Sequence, residues 1–243
     1  MSFWERLAGT QPVTPAWVVG VSGAVAFLVV LNSATWHLTR SAITIAHEGG
    51  HALVSLLTGR RLEGIRLHTD TSGETRSRGK GTGPSVVLTA LAGYLTPPLL
   101  GAGTAWLLAT HHVTATLCLL LALLAATFLA MRNAFGVLAV LLAAAAVFAV
   151  TWFASALVQA VFGYCVAWFL LLGGIRPVVE LQRQRHRGRV PHSDADHLAR
   201  LTGVPGGLWV AVFGLVAVAA LALGARLLIP WSLHVPHVHL SQR

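Results

Sequence analysis

Charged residues are scarce in this chain of 243 residues: they make up 10% of it, while 55% of the residues are hydrophobic. Soluble domains average about 25% charged residues. Two stretches, Gly81–Met131 and Asn133–Ile175, contain no Lys, Arg, Asp or Glu. Such long uncharged apolar runs exclude an ordinary soluble domain. They predict an integral protein that crosses the bilayer several times.

Cysteine is also scarce, since Cys118 and Cys165 are the only two in the chain. Both lie in apolar runs, where a free cysteine packs as a small hydrophobic residue. This excludes a disulfide framework. The N-terminal segment has Arg6 and an apolar run but no small-residue cleavage site, so we expect no cleavable signal peptide.

Basic residues outnumber acidic ones, and the formal net charge is +9. A balance of this sign raises the question of a nucleic-acid partner. The basic residues, however, cluster in the segments between apolar runs, where they set topology and contact anionic lipid. We therefore expect the lipid bilayer, and not nucleic acid, to be the partner of these segments.

The apolar runs predict seven transmembrane helices in one all-α membrane domain, residues 1–243. Each run reaches about the 17–25 residues needed to cross a bilayer. Only Thr39 and Arg40 separate the first two, and other boundaries depend mainly on length, so six or eight spans also fit. The seven runs are Trp17–Leu38, Ser41–Thr58, Pro84–Ala109, Val113–Met131, Ala134–Val150, Ala154–Ile175 and Gly206–Ile229.

The basic residues divide unevenly between the two ends of a seven-span bundle. Fourteen fall on the side of the N-terminus, mostly within Arg60–Lys80 and Arg176–Arg200. Three fall on the other side: Arg40, Arg226 and Arg243. The positive-inside rule then predicts a multi-pass cell-membrane protein with a cytoplasmic N-terminus and an external C-terminus.

Two polar loops on the basic side are long enough to form structure of their own. Residues 59–83 alternate polar and apolar side chains around a turn near Thr71–Gly73, which predicts a short β-hairpin. Residues 176–205 begin with a basic run. Ser193 or Asp194 would then cap a short helix that Gly203 ends.

One apolar run contains the pentapeptide His47-Glu48-Gly49-Gly50-His51. On a helix, HExxH sets two imidazoles one turn apart on one face, where both can bind one Zn²⁺. The Glu between them can act as general base. Glu48 is the only charged residue from Ser41 to Gly59. A charged side chain in the bilayer costs about 2.5–3.5 kcal/mol on insertion scales, so we expect Glu48 to serve a function.

Two further segments accompany this pentapeptide and its hairpin-forming loop: Ala92–Pro97, with the sequence Ala-Gly-Tyr-Leu-Thr-Pro, and Ser193–Pro205. Together the three stretches resemble the site-2 protease family of intramembrane zinc metalloproteases. More narrowly, they are similar to its short bacterial, peptidase-like branch. Ala92–Pro97 resembles the small-residue motif that opens the family's next span, and Ser193–Pro205 resembles the branch's C-terminal signature.

The resemblance implies a helical bundle whose active site is shielded from lipid. It implies that His47 and His51 bind Zn²⁺ and that Glu48 activates water. It also implies a membrane protein or peptide as substrate, hydrolysed in or beside a membrane segment. The family's third metal ligand is an Asp on a later membrane helix, but here no Asp or Glu occurs from Thr75 to Val179.

The third ligand is therefore sought among the later acidic residues. Asp194 is the first choice because it lies in the branch-like signature, and Asp196 and Glu180 are the alternatives. To meet His51, Asp194 would have to reach about 10 Å into the membrane, so a role as helix cap alone stays open. Asn133 either forms a polar pair with Arg132 at a helix end or binds the substrate, and it is the candidate substrate-binding residue.

Two other functions use the same residues. A transporter or channel-like protein could use Glu48 and His51 as a proton or metal relay, and an inactive relative could retain zinc structurally. Only a protease predicts that Glu48→Gln abolishes cleavage while metal stays bound, whereas a transporter predicts flux in liposomes. A C-terminal histidine cluster is a weaker metal-site candidate: His234, His237 and His239.

Overall fold

The chain forms a bundle of helices with a small β-hairpin at one end. The computed structural model describes residues 3–188 and 193–229. In chain order the elements are α1 (Phe3–Ala8), α2 (Ala16–Leu31), α3 (Ser33–Leu57), β1 (Arg61–Leu67), β2 (Gly73–Arg78), α4 (Pro84–Ala109), α5 (Val113–Ala130), α6 (Ala134–Phe153), α7 (Ala156–His186), α8 (Asp194–Thr202) and α9 (Gly206–Leu228).

Five helices are individually long and apolar enough to cross a membrane: α4, α5, α6, α7 and α9. Helices α2 and α3 meet that criterion only as a pair, and they are bent by 102° at their junction. Within the described residues there are therefore five candidate spans, or six if the bent pair counts as one. The predicted helical membrane bundle is confirmed, but the predicted seven spans are not.

The junction between α2 and α3 lies at Asn32 rather than at the predicted boundary of Thr39 and Arg40. The Asn32 side-chain oxygen accepts hydrogen bonds from the backbone N–H groups of Ala34, at 2.9 Å, and Thr35, at 3.1 Å. This is N-cap geometry, which satisfies two donors at the start of α3. Arg40 consequently lies within α3, two turns before the HExxH pentapeptide.

Helix α4 is the central helix of the site and packs against α3, α7 and α9. Small residues allow these close approaches, as is common between membrane helices. At Gly101 of α4, a Cβ atom would lie 2.9 Å from the backbone nitrogen of Leu171 in α7. At Gly50 of α3, a Cβ atom would collide with the Thr96 hydroxyl of α4 and lie 3.0 Å from the Ala92 carbonyl oxygen.

The predicted β-hairpin follows α3. Strands β1 and β2 pair antiparallel, from Arg61 opposite Arg78 to Leu67 opposite Gly73. Their register is irregular between Leu62 and Gly64. In β1, Leu67 is 1% exposed, whereas Arg61 and Arg78 at the open end are exposed. The hairpin therefore packs onto the bundle through the apolar residues of β1.

The N-terminal residues lie at the opposite end of α5 from the hairpin. The backbone N–H of Gln11 donates to the His111 carbonyl oxygen at 2.8 Å, just before α5 begins. At the other end of α5, Met131 forms a bridge with Ile65 of β1. The seven-span prediction put the N-terminus and residues 59–83 on one side. They lie at opposite ends because α2 and α3 form one bent pair instead of two complete crossings.

Candidate metal centre

Three side chains converge near the hairpin: His47 and His51 from α3, and Asp194 from α8. Asp194 Oδ2 lies 3.2 Å from His47 Nε2 and 3.3 Å from His51 Nε2, and the two Nε2 atoms are 3.1 Å apart. Bond lengths of about 2.0–2.1 Å put the ligand atoms of tetrahedral zinc about 3.3 Å apart. The donor set and its spacing therefore fit Zn²⁺.

The helical path of α3 brings the two histidines together. His47 and His51 are four residues apart in an uninterrupted α-helix, so both rings lie on one face. Both rings face Gly93 of α4. A Cβ atom there would lie 2.5 Å from His47 Nε2 and closer still to His51 Nε2. Gly93 therefore leaves the space in which a metal ion and the imidazoles can meet.

His51 is oriented by the backbone of α4. Its Nδ1 donates to the carbonyl oxygen of Thr89 at 2.6 Å. A carbonyl oxygen only accepts, so Nδ1 carries a proton, and loss of the Nε2 proton on metal binding would leave the Nε2 lone pair for the ion. Such a hydrogen bond fixes the tautomer and ring orientation of metal-binding histidines.

Asp194 is held in place by the start of α8. The Ser193 hydroxyl caps this helix, accepting from the Asp196 N–H at 3.3 Å and donating to Asp196 Oδ2 at 2.6 Å. The other oxygen of Asp196 pairs with Arg185 of α7. Ser193 thus provides the cap, and Asp194, the first residue of the helix, points toward the histidines. Asp196 forms an ion pair with Arg185 and lies outside the cluster of His47, His51 and Asp194.

Helix α8 reaches the histidines because it packs inward. Ala195 and Leu198 are fully buried in an apolar cluster with Ala90 of α4 and Phe213 of α9. This packing holds the first turn of α8 against the bundle. Asp194 therefore reaches His51 from a buried helix, whereas a solvated loop would have to extend into the membrane. Burial alone would raise the pKa of Asp194, but the charges and hydrogen bonds of His51 and His47 hold that pKa below its ordinary value.

Glu180, the other alternative ligand, belongs to a different group. Its Oε1 accepts hydrogen bonds from Trp36 Nε1 and Arg176 Nε, both at 3.0 Å. Its Oε2 lies 3.6 Å from Arg40 Nη2. Among the described residues, the one group of three potential ligand side chains within 4.8 Å of one another is His47, His51 and Asp194.

Glu48 is buried, with 4% of its surface exposed, and contacts the hairpin directly. The Thr75 hydroxyl of β2 donates to Glu48 Oε2 at 2.7 Å and also lies 3.1 Å from the Glu48 carbonyl oxygen. A Cβ atom on Gly73 would lie 2.6 Å from Glu48 Oε1. The start of β2 therefore packs directly on the Glu48 carboxylate, and the carboxylate leaves no room for a side chain at Gly73.

A cavity of about 180 Å³ connects Glu48 and His47 with the surface. Tyr94 forms part of its wall; the ring meets His47 edge-on at 4.8 Å and stacks on Phe213 at 4.7 Å. Polar side chains from both α3 and the hairpin turn line the cavity, together with apolar ones. It is lined by Trp36, Arg40, Ile43, Thr44, His47, Glu48, Thr71, Ser72, Gly73, Tyr94 and Pro177.

The family model of peptidase M50B-like proteins matches residues 20–224. The chain belongs to this family. The resemblance to site-2 proteases is thereby confirmed over most of the sequence. Searches of curated proteins and of solved structures found no match.

In this M50B-like protein, Asn133 lies at the edge of β1. Its Nδ2 donates to the Leu67 carbonyl oxygen at 2.6 Å, and its Oδ1 accepts from the Leu67 N–H at 3.2 Å. The neighbouring Arg132 N–H donates to the Ile65 carbonyl oxygen at 2.9 Å. The amide thus ties the hairpin to the α5–α6 connection, and Asn133 is not among the residues that line the cavity. Its role in substrate binding stays a prediction.

Three polar residues of the site were not predicted from the sequence: Thr75, Thr89 and Tyr94. Thr75 and Thr89 act through contacts that exist only once the hairpin and α4 pack on α3, and no local pattern marks them. Tyr94 lies inside the family-like segment Ala92–Pro97, which was the one available signal. The weaker candidates His234, His237 and His239 lie outside the described residues.

Proposed function

We propose that this M50B-like protein is an intramembrane zinc metalloprotease that hydrolyses peptide bonds in or beside membrane segments. The observation that supports this most strongly is the approach of Asp194 Oδ2 to His47 Nε2, at 3.2 Å, and to His51 Nε2, at 3.3 Å. Two histidines and one carboxylate leave the fourth tetrahedral position open, as in catalytic zinc sites.

Zn²⁺, when bound, supplies Lewis acidity that polarises the scissile carbonyl and makes a water molecule more acidic. Glu48 is the general base and faces the same cavity as His47. Because Thr75 occupies Oε2, Glu48 Oε1 is the atom that takes the proton from water. The same carboxyl then returns this proton to the nitrogen of the leaving amine.

Water and substrate reach Glu48 from the hairpin turn. The Thr44 hydroxyl of α3 donates to the Thr71 carbonyl oxygen at 2.8 Å, so the turn and α3 form adjoining walls of the cavity. Ser72 adds a second hydroxyl there. These polar groups hydrate the approach to Glu48, which hydrolysis within an otherwise apolar bundle requires.

The hairpin end of the bundle faces the cytoplasm. This orientation follows from the described basic residues at that end, which lie in Arg60–Lys80, at Arg132, in Arg176–Arg187 and at Arg200. The residues before α2 and the end of α9 then lie on the outer side, so this proposal keeps the predicted external C-terminal end and replaces the predicted cytoplasmic N-terminus. Cysteines introduced at Gln11 and Thr69 test this orientation when intact cells are treated with a thiol reagent that cannot cross the membrane. Only the cysteine on the external side should react.

A proton or metal relay is less well supported by the arrangement of charges. Helices α4, α5 and α6 contain no Asp, Glu, Lys or Arg along their whole lengths. A relay across the bilayer needs successive ionisable or polar groups. Glu48 and the metal centre lie instead at one end, beside a short cavity.

Metal analysis tests the zinc site on which the proposed protease depends. Purified protein should contain about one zinc ion per chain, and His47→Ala or Asp194→Asn should lose most of it. His37→Ala changes an exposed histidine of the same helix and is the matched control. Undiminished zinc in both cluster variants would exclude this metal centre.

Glu48→Gln separates catalysis from metal binding. The variant should retain zinc and lose cleavage of membrane-segment peptides by about 10²-fold or more, as expected for removal of a general base. Glu74→Gln, on the exposed face of β2, should cleave normally. Full activity of Glu48→Gln, or ion flux without cleavage in wild-type liposomes, would overturn the proposal.

A further inference from the structure

Arg40 and His47 lie on the same cavity-facing side of α3. Seven residues of α-helix make nearly two full turns, so side chains at these positions share a face and are about 10 Å apart along the axis. Both line the cavity of about 180 Å³, together with Ile43, Thr44 and Glu48 between or beside them. One continuous face of α3 therefore connects Arg40 with the metal centre.

Arg40 belongs to a cluster of charged side chains at one end of the cavity. Two guanidinium groups, Arg40 and Arg176, share the single carboxylate of Glu180. Arg176 is the closer partner, since its Nε donates to Glu180 Oε1 at 3.0 Å. Arg176 also donates from Nη1 to the Val30 carbonyl oxygen at the end of α2.

Arg40 is the outer member of this group. Its Nη2 is 3.6 Å from Glu180 Oε2, an ion pair too long for a hydrogen bond. Among the described residues, no other carboxylate lies within 4 Å of Arg40. Its side chain is 32% exposed and faces the cavity beside the apolar Trp36 and Ile43. Its planar fork can still accommodate a second carboxylate.

We propose that Arg40 selects substrates with an Asp or Glu side chain three to four residues from the scissile bond. This inference rests on the proposed peptidase function. An extended peptide advances about 3.3 Å per residue, so the spacing of about 10 Å between Arg40 and His47 corresponds to three residues. Both side chains lean toward the start of α3, and the longer Arg40 side chain reaches further, which adds up to one residue more.

Binding to a Glu48→Gln protein tests the inference without requiring cleavage. The probes are fluorescent, otherwise uncharged apolar peptides of about 20 residues that carry one Asp or one Asn at the same position. The Asp peptide should bind about tenfold more tightly, since hydrogen bonds to charged groups are worth about 1.5–3 kcal/mol. Fluorescence anisotropy in detergent micelles measures both affinities.

Variants of Arg40, made in the Glu48→Gln protein, test whether Arg40 causes the preference for the Asp peptide. Arg40→Gln should bring the affinity ratio of the Asp and Asn peptides to about one, Arg40→Lys should retain most of it, and Arg40→Glu should favour a Lys peptide. Arg61→Gln, an exposed arginine of the hairpin, should leave the ratio unchanged. Zinc content checks that each variant is folded. A ratio that survives Arg40→Gln in folded protein overturns the inference.

Cleavage mapping by the wild-type protein separates the two proposals. When Asp is moved stepwise along the peptide, the cut identified by mass spectrometry should move with it, three to four residues away on a constant side. Cleavage at a fixed peptide position would overturn the role of Arg40 and leave the protease intact. Absence of cleavage of every peptide, with Asp-dependent binding preserved, would overturn the protease and leave the Arg40 site intact.

Discussion

Thr75 in β2 donates a hydrogen bond of 2.7 Å to Oε2 of Glu48 in α3. This contact joins the hairpin to the base of the proposed reaction. It occupies one oxygen of a carboxylate whose residue lines the cavity. The hairpin is thereby part of the candidate site and not merely a connection between α3 and α4.

Replacement of Thr75 should therefore reduce the rate of hydrolysis. We expect Thr75→Val, which keeps the shape of the side chain, to lower kcat by about 10- to 100-fold, as loss of an orienting contact does. Thr75→Ser should recover most activity because the hydroxyl returns. Zinc content should stay the same in both variants, and Thr69→Val on the exposed turn is the control. Normal kcat in Thr75→Val would contradict this role.

Gly93 provides a sharper test of the metal centre. In Gly93→Ala, the new methyl group would lie 2.5 Å from His47 Nε2 and would separate α3 from α4. We expect the zinc content to fall from about one ion per chain to a small fraction. Gly103→Ala changes the same helix at a position with no atom within 4 Å of the added Cβ. It should keep its zinc, and equal zinc in the two variants would be inconsistent with the site.

The sequence predicted the parts of the site that local spacing determines. His47, Glu48 and His51 follow from HExxH on a helix, and Asp194 was chosen by its place in a family-like segment. Thr75 could not be predicted, because its contact with Glu48 depends on how the hairpin folds back onto α3. No local sequence pattern in α3 or in the residues beside it predicts how the hairpin packs on α3.

The helix boundary at Asn32 was missed for a related reason. The predicted boundaries followed charge, and the first charged residue after α2 is Arg40. Asn32 is uncharged, yet its side chain caps α3 with two hydrogen bonds. Because the helices meet at Asn32, α2 and α3 form one bent pair where two separate spans were predicted. The N-terminal residues consequently lie at the other end of the bundle.

Arg185 should act as a positioning residue for the metal centre through Asp196. It pairs with Asp196 at the start of α8 and so restrains the turn that presents Asp194. We expect Arg185→Gln to weaken zinc affinity by about 10- to 100-fold, the usual effect of removing an outer contact. Chelator competition on purified protein measures this affinity.

Two comparisons distinguish positioning from a general loss of structure. Arg183→Gln, an exposed neighbour on α7, should keep the wild-type affinity. Asp196→Asn should cause a loss similar to that of Arg185→Gln, and the double variant should be little worse than either single one, because both remove one shared contact. Fully additive losses in the double variant would show that the pair does not act through this contact.

Asn133 should stabilise the hairpin through Leu67, whose N–H and carbonyl both bond to the Asn133 amide. Leu67 is 1% exposed, so Asn133→Ala leaves buried backbone groups without their partner. Each such group costs about 1–3 kcal/mol, which lowers Tm by several degrees and speeds hydrogen exchange at the Leu67 amide. Gln184→Ala, an exposed amide on α7, should change neither quantity. If Asn133→Ala instead raises KM while Tm and Leu67 exchange stay at wild-type values, Asn133 contacts substrate and the hairpin is held by its apolar packing alone.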